Sequence, residues 1–138
     1  MRRLFPELYG FALLSVNALN EFITRYSLNS NILEYLQKEI NSNKLMEQKL
    51  IYPIFHIDEG LYSFEYKLSD DGKKSHIKSD GSLSICGIGY LVDFTYASLV
   101  EKQKVIEFTI PQGEYEIEFD VDSEKEQIMI EFKRVNRE

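Results

Sequence analysis

Apolar residues in the first third of the chain recur at the three- and four-residue spacing of helices. One stripe follows Pro6, which suits a first helical turn, and comprises Ala12, Val16, Leu19, Ile23 and Tyr26. A second stripe begins after Asn31, whose side chain can accept a first-turn amide proton, with Glu34 completing the motif. Its apolar members are Ile32, Leu33, Leu36 and Ile40. The pattern predicts two helices, and Leu45 with Met46 indicates a third, short one.

From Leu50 onward the spacing of apolar residues changes to two, which is typical of half-buried strands. An apolar segment that contains Pro53 ends at the turn signal Asp-Glu-Gly of residues 58–60, and an alternating strand follows over 62–68. This arrangement predicts a hairpin. Residues 70–72 and 80–81 predict two further turns, and residues 83–96 are apolar enough for one or two buried strands.

The last third of the chain has the clearest alternation. Ile106 and Phe108 point to one side of a strand, and the Pro-Gln-Gly sequence of residues 111–113 predicts a turn after it. The apolar residues of the next strand are Tyr115, Ile117, Phe119 and Val121. They alternate with an acidic row formed by Glu114, Glu116, Glu118, Asp120 and Asp122. A polar turn at residues 123–126 leads to a third strand, which contains Ile128, Ile130 and Phe132.

Together these patterns predict one α+β domain that spans residues 1–138. Two or three N-terminal helices, within about residues 6–48, are expected to pack on one face of a curved antiparallel β-meander of five to seven strands. The strands occupy about residues 50–135, and the second face of the last three strands is expected to face solvent. That second face carries the acidic row.

Cysteine content and the N-terminus bear on the compartment. The single cysteine, Cys86, cannot form an internal disulfide, which favours a reducing compartment. The start of the chain resembles a secretory signal, but Pro6 and Glu7 interrupt its apolar segment. No segment approaches the ~20 apolar residues that a membrane span requires. We therefore expect a cytoplasmic protein.

The charge of the chain is negative and local. The formal net charge is −7, which disfavours direct binding of nucleic acid and of anionic membranes. Residues 107–126 contain eight Asp or Glu residues and one Lys, so this span alone has a net charge of −7. A basic protein partner, such as a nuclease-type toxin, is compatible with this charge.

The acidic row is tolerated but not favoured by electrostatics. Alternate side chains of a strand lie about 6.8 Å apart, where neighbouring carboxylates repel by about 0.6 kcal/mol in water. The predicted turns place Glu131 beside Glu118, Lys133 beside Glu116, and Glu107 beside Glu116 or Glu118. Because like charges are usually avoided in such positions, the row favours a binding role over simple solvation. The predicted partner-binding residues are Glu107, Glu114, Glu116, Glu118, Asp120, Asp122 and Glu131.

Other chemistry is weakly indicated. The chain has no recognisable catalytic, nucleotide or metal motif, so we expect a non-enzymatic protein without catalytic residues, bound metal or cofactor. A loose calcium site on the carboxylates stays an alternative. Cys86 lies in an apolar run and is expected to be buried and inert.

The sequence thus favours a protein of the bacterial immunity-protein or toxin-inhibitor type, whose acidic sheet face masks a basic surface of a partner. The resemblance to such proteins is one of size and charge, and no motif supports it. The alternative is a small-ligand-binding protein or enzyme with a pocket between helices and sheet, in which His56, Asp58 and Glu59 are the first candidates. The sequence does not determine the oligomeric state.

Overall fold

A computed structural model describes residues 3–6, 9–27, 31–37, 48–93 and 96–135 of the chain. Within these ranges the strands are β1 (Arg3–Leu4), β2 (Gly10–Leu14), β3 (Ile51–Phe55), β4 (Tyr62–Gly72), β5 (Ile77–Gly87), β6 (Val105–Asp122) and β7 (Gln127–Val135). The helices are α1 (Val16–Arg25), α2 (Ile32–Gln37), a 3-10 helix (Ile88–Asp93) and α3 (Tyr96–Glu101). No helix in the described part of the chain is long and apolar enough to cross a membrane.

All seven strands form one mixed sheet in the order β1-β4-β7-β6-β5-β2-β3. Neighbouring strands are antiparallel except β4 and β7, which are parallel. The described part of the chain is mostly sheet, and among its helices only α1 is longer than two turns. The predicted fold class, two or three helices packed on an antiparallel meander, is therefore wrong.

The largest error lies at residues 10–14, which the helical stripe after Pro6 assigned to a helix. They form β2, which pairs with β3 on one side and with β5 on the other. Every residue of β2 is buried, with Phe11 and Leu13 in one core and Ala12 and Leu14 in another. In the sequence, a short apolar run that is covered on both faces is consistent with a buried helix and with a buried strand. Residues 10–14 form a strand because they lie between two other strands.

The second predicted helix is present in part. Its predicted start is confirmed, because the Glu34 amide donates to Asn31 Oδ1 (3.0 Å) and the Asn31 amide group donates to Glu34 Oε2 (3.3 Å). The predicted continuation of this helix to Ile40, and the further turn at Leu45 and Met46, lie outside the described residues.

The predicted hairpin at residues 58–60 is also wrong. β3 lies at one end of the sheet beside β2, whereas β4 lies near the other end between β1 and β7. Turn signals are local, but the partner of a strand is set by which apolar faces meet. Further along, residues 83–87 of the predicted strand region 83–96 are extended as the end of β5, and a 3-10 helix begins at Ile88.

The predicted turn at residues 111–113 is a bend inside β6, which continues without interruption for 18 residues. Ile110 pairs with Gly81 and Gly113 pairs with Ser79, so β6 has one extra residue opposite β5 and forms a bulge. The predicted turn at 80–81 is the other half of this bulge. Pro and Gly mark turns and bulges alike, because both need special dihedral angles or a missing ladder bond.

The sheet is curved, because β2 and β4, which are four positions apart in the strand order, meet on its inner face. The inner face buries apolar residues from all seven strands against one another, and the rings of Phe11 (β2) and Tyr62 (β4) meet at a centroid distance of 5.9 Å. The outer face is covered by the helices only where Leu19, Phe22 and Leu99 pack on it beside β2 and β5. In the described structure, the outer face of β4, β7 and residues 116–122 of β6 has no helix over it.

Candidate functional site

The uncovered half of the outer face contains most of the predicted binding residues. The antiparallel register of β6 and β7 pairs Glu118 with Glu131, Glu116 with Lys133, and Asp120 with Met129. These are the pairs that a four-residue turn at 123–126 predicts, so this register is confirmed. We call the carboxylates that line this region the acidic face: Glu114, Glu116, Glu118, Asp120 and Asp122 of β6, with Glu131 of β7.

Glu107 does not belong to the acidic face, and the prediction that it lies beside Glu116 or Glu118 is wrong. That prediction required a turn at 111–113, but the strand continues and Glu107 pairs with Ser84 of β5. There the hydroxyl group of Tyr96, on α3, donates to Glu107 Oε2 (2.8 Å) and lies 2.7 Å from Ser84 Oγ. Glu107 therefore lies in the half of the outer face that faces the helices.

Two lysines neutralise part of the acidic face. Lys133 Nζ lies 2.8 Å from Glu118 Oε1, and this hydrogen bond raises the pKa of the Lys133 ammonium group. Lys67 Nζ, on β4, lies 3.7 Å from Glu131 Oε1, and Ser69 Oγ donates to Glu131 Oε2 (2.8 Å). The sequence placed only Lys133 beside the acidic row, and Lys67 joins it because β4 is a parallel neighbour of β7 that the sequence pattern does not reveal.

Glu116 has a structural role. Its Oε1 atom accepts the backbone N–H groups of Lys73 (2.8 Å) and Lys74 (3.2 Å), which lie in the connection between β4 and β5. These two hydrogen bonds stabilise the carboxylate and lower the pKa of Glu116. Glu116 thus fixes a connecting loop to the sheet, and it is less free to meet a partner than its position in the sequence indicates.

Asp120 and Glu118 form the most accessible part of the acidic face. Both are exposed, and they line a shallow open depression of about 220 Å³ together with Lys67, Phe119, Met129 and Glu131. Asp122 accepts the backbone N–H of Lys125 through Oδ1 (3.1 Å), and Glu114 lies opposite Lys78 of β5. The depression combines carboxylates with the half-buried thioether of Met129.

The charge that remains is still negative. Six carboxylates and two lysines occupy the outward positions of residues 116–122 of β6, 127–133 of β7 and 63–69 of β4: Glu116, Glu118, Asp120, Asp122, Glu131 and Glu65 against Lys67 and Lys133. Both lysines already contact a carboxylate of the same face. The strand surface therefore keeps a net charge of −4, which a basic partner can complement.

The other candidate groups do not assemble into a site. His56, Asp58 and Glu59 are exposed on the connection between β3 and β4, and none of them lines the depression beside Asp120. Cys86 is buried as predicted, and burial raises its pKa to about 12. Within the described ranges, no group of three or more His, Cys, Asp or Glu side chains is arranged to hold a metal ion.

Sequence reasoning missed three residues of this region. Lys67 and Ser69 occupy outward-facing positions of an alternating strand, as the sequence pattern indicates. Their contact with Glu131, however, depends on the parallel pairing of β4 and β7. His76 contacts β6, where its Nδ1 atom accepts the backbone N–H of Ile117 (2.9 Å). No sequence signal marks either contact, because both join segments more than 40 residues apart.

Comparison of the chain with protein-family models, with curated proteins and with solved structures returned no match. The contacts and charges of the acidic face are therefore the basis for a proposal about function.

Proposed function

We propose that this protein is a non-enzymatic binding protein whose acidic face covers a basic surface of a protein partner. The partner-binding residues are Glu118, Asp120 and Asp122, with Glu114 and Glu131 at the sides of the surface. Glu116 supports them through the loop that it holds. The proposed site of action is the cytoplasm, as the single free thiol of the chain favours.

One observation carries this proposal. The outward strand surface has six carboxylates and two lysines, and the protein uses both lysines internally. Solubility alone does not need a single-sign surface of this kind, since mixed charges serve equally well. A surface that repels itself and lacks a cover within the described structure is suited to a partner of opposite charge.

The kind of partner follows from the spacing of the charges. Successive carboxylates of a strand lie about 6.8 Å apart, close to the separation of phosphates along a nucleic-acid strand. A cationic cleft that binds a nucleic-acid strand can therefore accept this face. An immunity protein or toxin inhibitor that masks a nuclease-type toxin would use such a face, and this is the type of function that we propose.

The test is a capture experiment at low salt with three forms of the protein as bait. Glu118 and Asp120 are both changed to Lys in the first variant, which leaves Glu116 and its loop contact intact. The matched control carries Glu21→Lys and Glu101→Lys, which change the net charge equally but lie on the exposed sides of α1 and α3. Lysate of cells that produce the protein is the source, and mass spectrometry identifies what each bait retains.

We expect a basic protein that the wild type and the matched control retain and that the Glu118 and Asp120 variant loses. Recovery of the same proteins by all three baits would contradict the proposal, because binding would then not depend on the acidic face. Loss of binding in both variants would indicate an effect of net charge alone, and it would contradict the assignment of the site.

A further inference from the structure

The distal half of β6 has an open edge. β5 pairs with β6 from Val105 to Tyr115, whereas β6 continues to Asp122 and pairs there with β7 on its other side. Among the strands that the structure describes, none lies beside residues 118–122 on the β5 side. A strand edge of this kind presents backbone donors and acceptors that an added strand can satisfy.

The direction of the backbone groups on this edge follows from two contacts with His76. The His76 backbone N–H donates to the Tyr115 carbonyl (2.8 Å), and the Ile117 N–H donates to His76 Nδ1 (2.9 Å). Both groups of β6 therefore point away from β7. Because this direction alternates along an antiparallel strand, the N–H and C=O groups of Phe119 and Val121 also point to the open side. On this side of β6, no described residue forms a backbone hydrogen bond with Phe119 or Val121.

The side chains along the open edge have two different characters. Phe119 lies on the inner face and is 45% exposed, although a large apolar residue at this position of a strand is usually covered. Glu118, Asp120 and Asp122 lie on the outer face, where they belong to the acidic face. An added strand would therefore meet an aromatic ring on one face and carboxylates on the other.

We propose that the partner binds by β-augmentation: an extended segment of a basic protein adds as a strand to the edge of β6 at Phe119 and Val121. This inference rests on the proposed function and adds the mode of recognition. Lys or Arg side chains at alternate positions of the segment face Glu118 and Asp120, and apolar side chains at the positions between them face Phe119. Backbone hydrogen bonds give affinity, and the alternation gives specificity for a basic, amphipathic strand.

A second copy of this chain is a poor occupant of the same edge. Antiparallel pairing of two β6 edges would bring carboxylates of one copy opposite carboxylates of the other on the outer face. Directly opposed like charges destabilise a strand pair. The charge pattern therefore selects a partner of opposite sign.

The probe for this proposal is a fluorescent ten-residue peptide of alternating lysine and valine. Its control has the same sequence, but every second backbone nitrogen carries an N-methyl group. The methylated nitrogens are those whose N–H groups would face β6 in the proposed pairing. This control keeps the charge and the side chains but removes the N–H donors. Fluorescence anisotropy gives the dissociation constants, and amide hydrogen exchange read by NMR reports protection of Phe119 and Val121.

We expect the lysine-valine peptide to bind and to protect both amides, and methylation to weaken binding by about tenfold or more, since several backbone hydrogen bonds are lost. Phe119→Pro should also weaken binding by about tenfold relative to Phe119→Ala. Both variants remove the ring, but only the proline removes the N–H group that points to the open edge. The peptide comparison does not depend on either variant folding.

The outcomes separate this inference from the proposed function. Equal binding of the two peptides, or binding without protection of Phe119 and Val121, would overturn β-augmentation. If the Glu118→Lys and Asp120→Lys variant then no longer bound the peptide, the proposed function would stand without β-augmentation. Equal binding of the peptide to that variant and to the wild type would instead overturn the role of the acidic face. Failure of both peptides to bind would overturn the open edge as a docking site.

Discussion

The hydroxyl group of Tyr96 shows how a single residue connects a helix to the sheet. It lies between Ser84 Oγ (2.7 Å) and Glu107 Oε2 (2.8 Å), and Ser84 is buried. Burial is the main cause that raises the pKa of Tyr96 to about 12, so the group stays a hydrogen-bond donor at neutral pH. Glu107, which the sequence assigns to a binding surface, thus contributes to the packing of α3.

Tyr96→Phe is predicted to destabilise the protein by about 1–3 kcal/mol, because the buried Ser84 hydroxyl loses its partner. Urea unfolding monitored by circular dichroism measures the change. The control is Tyr26→Phe, at a tyrosine that is 51% exposed, where a change within about 0.5 kcal/mol is expected. Equal effects of the two variants would show that the Tyr96 contacts do not stabilise the fold.

His76 couples the fold to pH. Its neutral Nδ1 atom accepts the Ile117 N–H, and its ring stacks on Tyr52 at a centroid distance of 5.1 Å. Burial is the largest cause that lowers the pKa of His76 from 6.5; Glu116 opposes this shift, and Lys74 and Lys49 add to it. The unfolded chain therefore binds a proton more readily than the native protein does.

The stability that neutral His76 contributes is therefore present above pH 6.5, and it is lost as the pH falls through the lowered pKa of the native state. Urea unfolding at pH 7.5 and at pH values below 6.5 tests this. We expect the difference in unfolding free energy between the wild type and His76→Gln to shrink on acidification, since glutamine cannot titrate. A constant difference would mean that His76 does not titrate differently in the two states.

At the scale of elements, the bulge between β5 and β6 determines which residues reach the acidic face. Before it, Ile106, Phe108 and Ile110 point to the inner core, and after it Tyr115 and Ile117 do. The residues of β6 that point to the inner core thus change from even-numbered to odd-numbered positions. Ser79 stabilises the bend, because its Oγ atom donates to the Ile110 carbonyl (2.8 Å) and accepts the Gly81 N–H (3.1 Å).

Gly81→Ala is predicted to destabilise the protein by about 1–3 kcal/mol. A Cβ atom would have space, since no heavy atom lies within 4 Å of its position, but the backbone has φ +130°, which L-residues rarely adopt. Thermal or urea unfolding gives the size of the effect. Ser82→Ala, one residue further along β5, is the control and should be nearly neutral. An equally neutral Gly81→Ala would show that the bulge can relax.

At the scale of the whole molecule, the acidic face opposes folding slightly. Asp120 lies between Glu118 and Asp122 on the same face of β6, and its cross-strand neighbour is Met129 rather than a cation. Its charge therefore adds repulsion without an ion pair among the described contacts. A residue that lowers stability at an exposed position is a candidate for binding, in line with the proposed function.

Asp120→Asn is predicted to stabilise the isolated protein by roughly a few tenths of a kcal/mol at low ionic strength, because two like-charge repulsions are removed. The gain should become smaller in about 0.5 M NaCl, where the screening length is only a few ångströms. Urea unfolding at the two salt concentrations measures both effects. Destabilisation by this variant at low salt would show that Asp120 makes a favourable contact within the protein.

Alternation and capping chemistry were readable from the sequence because they depend on neighbours along the chain. The strands at Tyr62, at Tyr115 and at Ile128, the register of β6 and β7, and the start of α2 at Asn31 all agree with their local patterns. The burial of Cys86 is also a local property, since the residues around it are apolar. The acidic row could be found for the same reason.

Only the tertiary structure decided the features that depend on distant partners. Residues 10–14 became a strand because two strands flank them, and β4 became the parallel neighbour of β7, which brings Lys67 to Glu131. The bend at Pro111 lies within one strand because β5 pairs with β6 on both sides of the bend. The continuous strand separates Glu107 from the acidic face. A sequence pattern reports which side of a strand a residue occupies, whereas the identity of its neighbours follows from which apolar faces pack together.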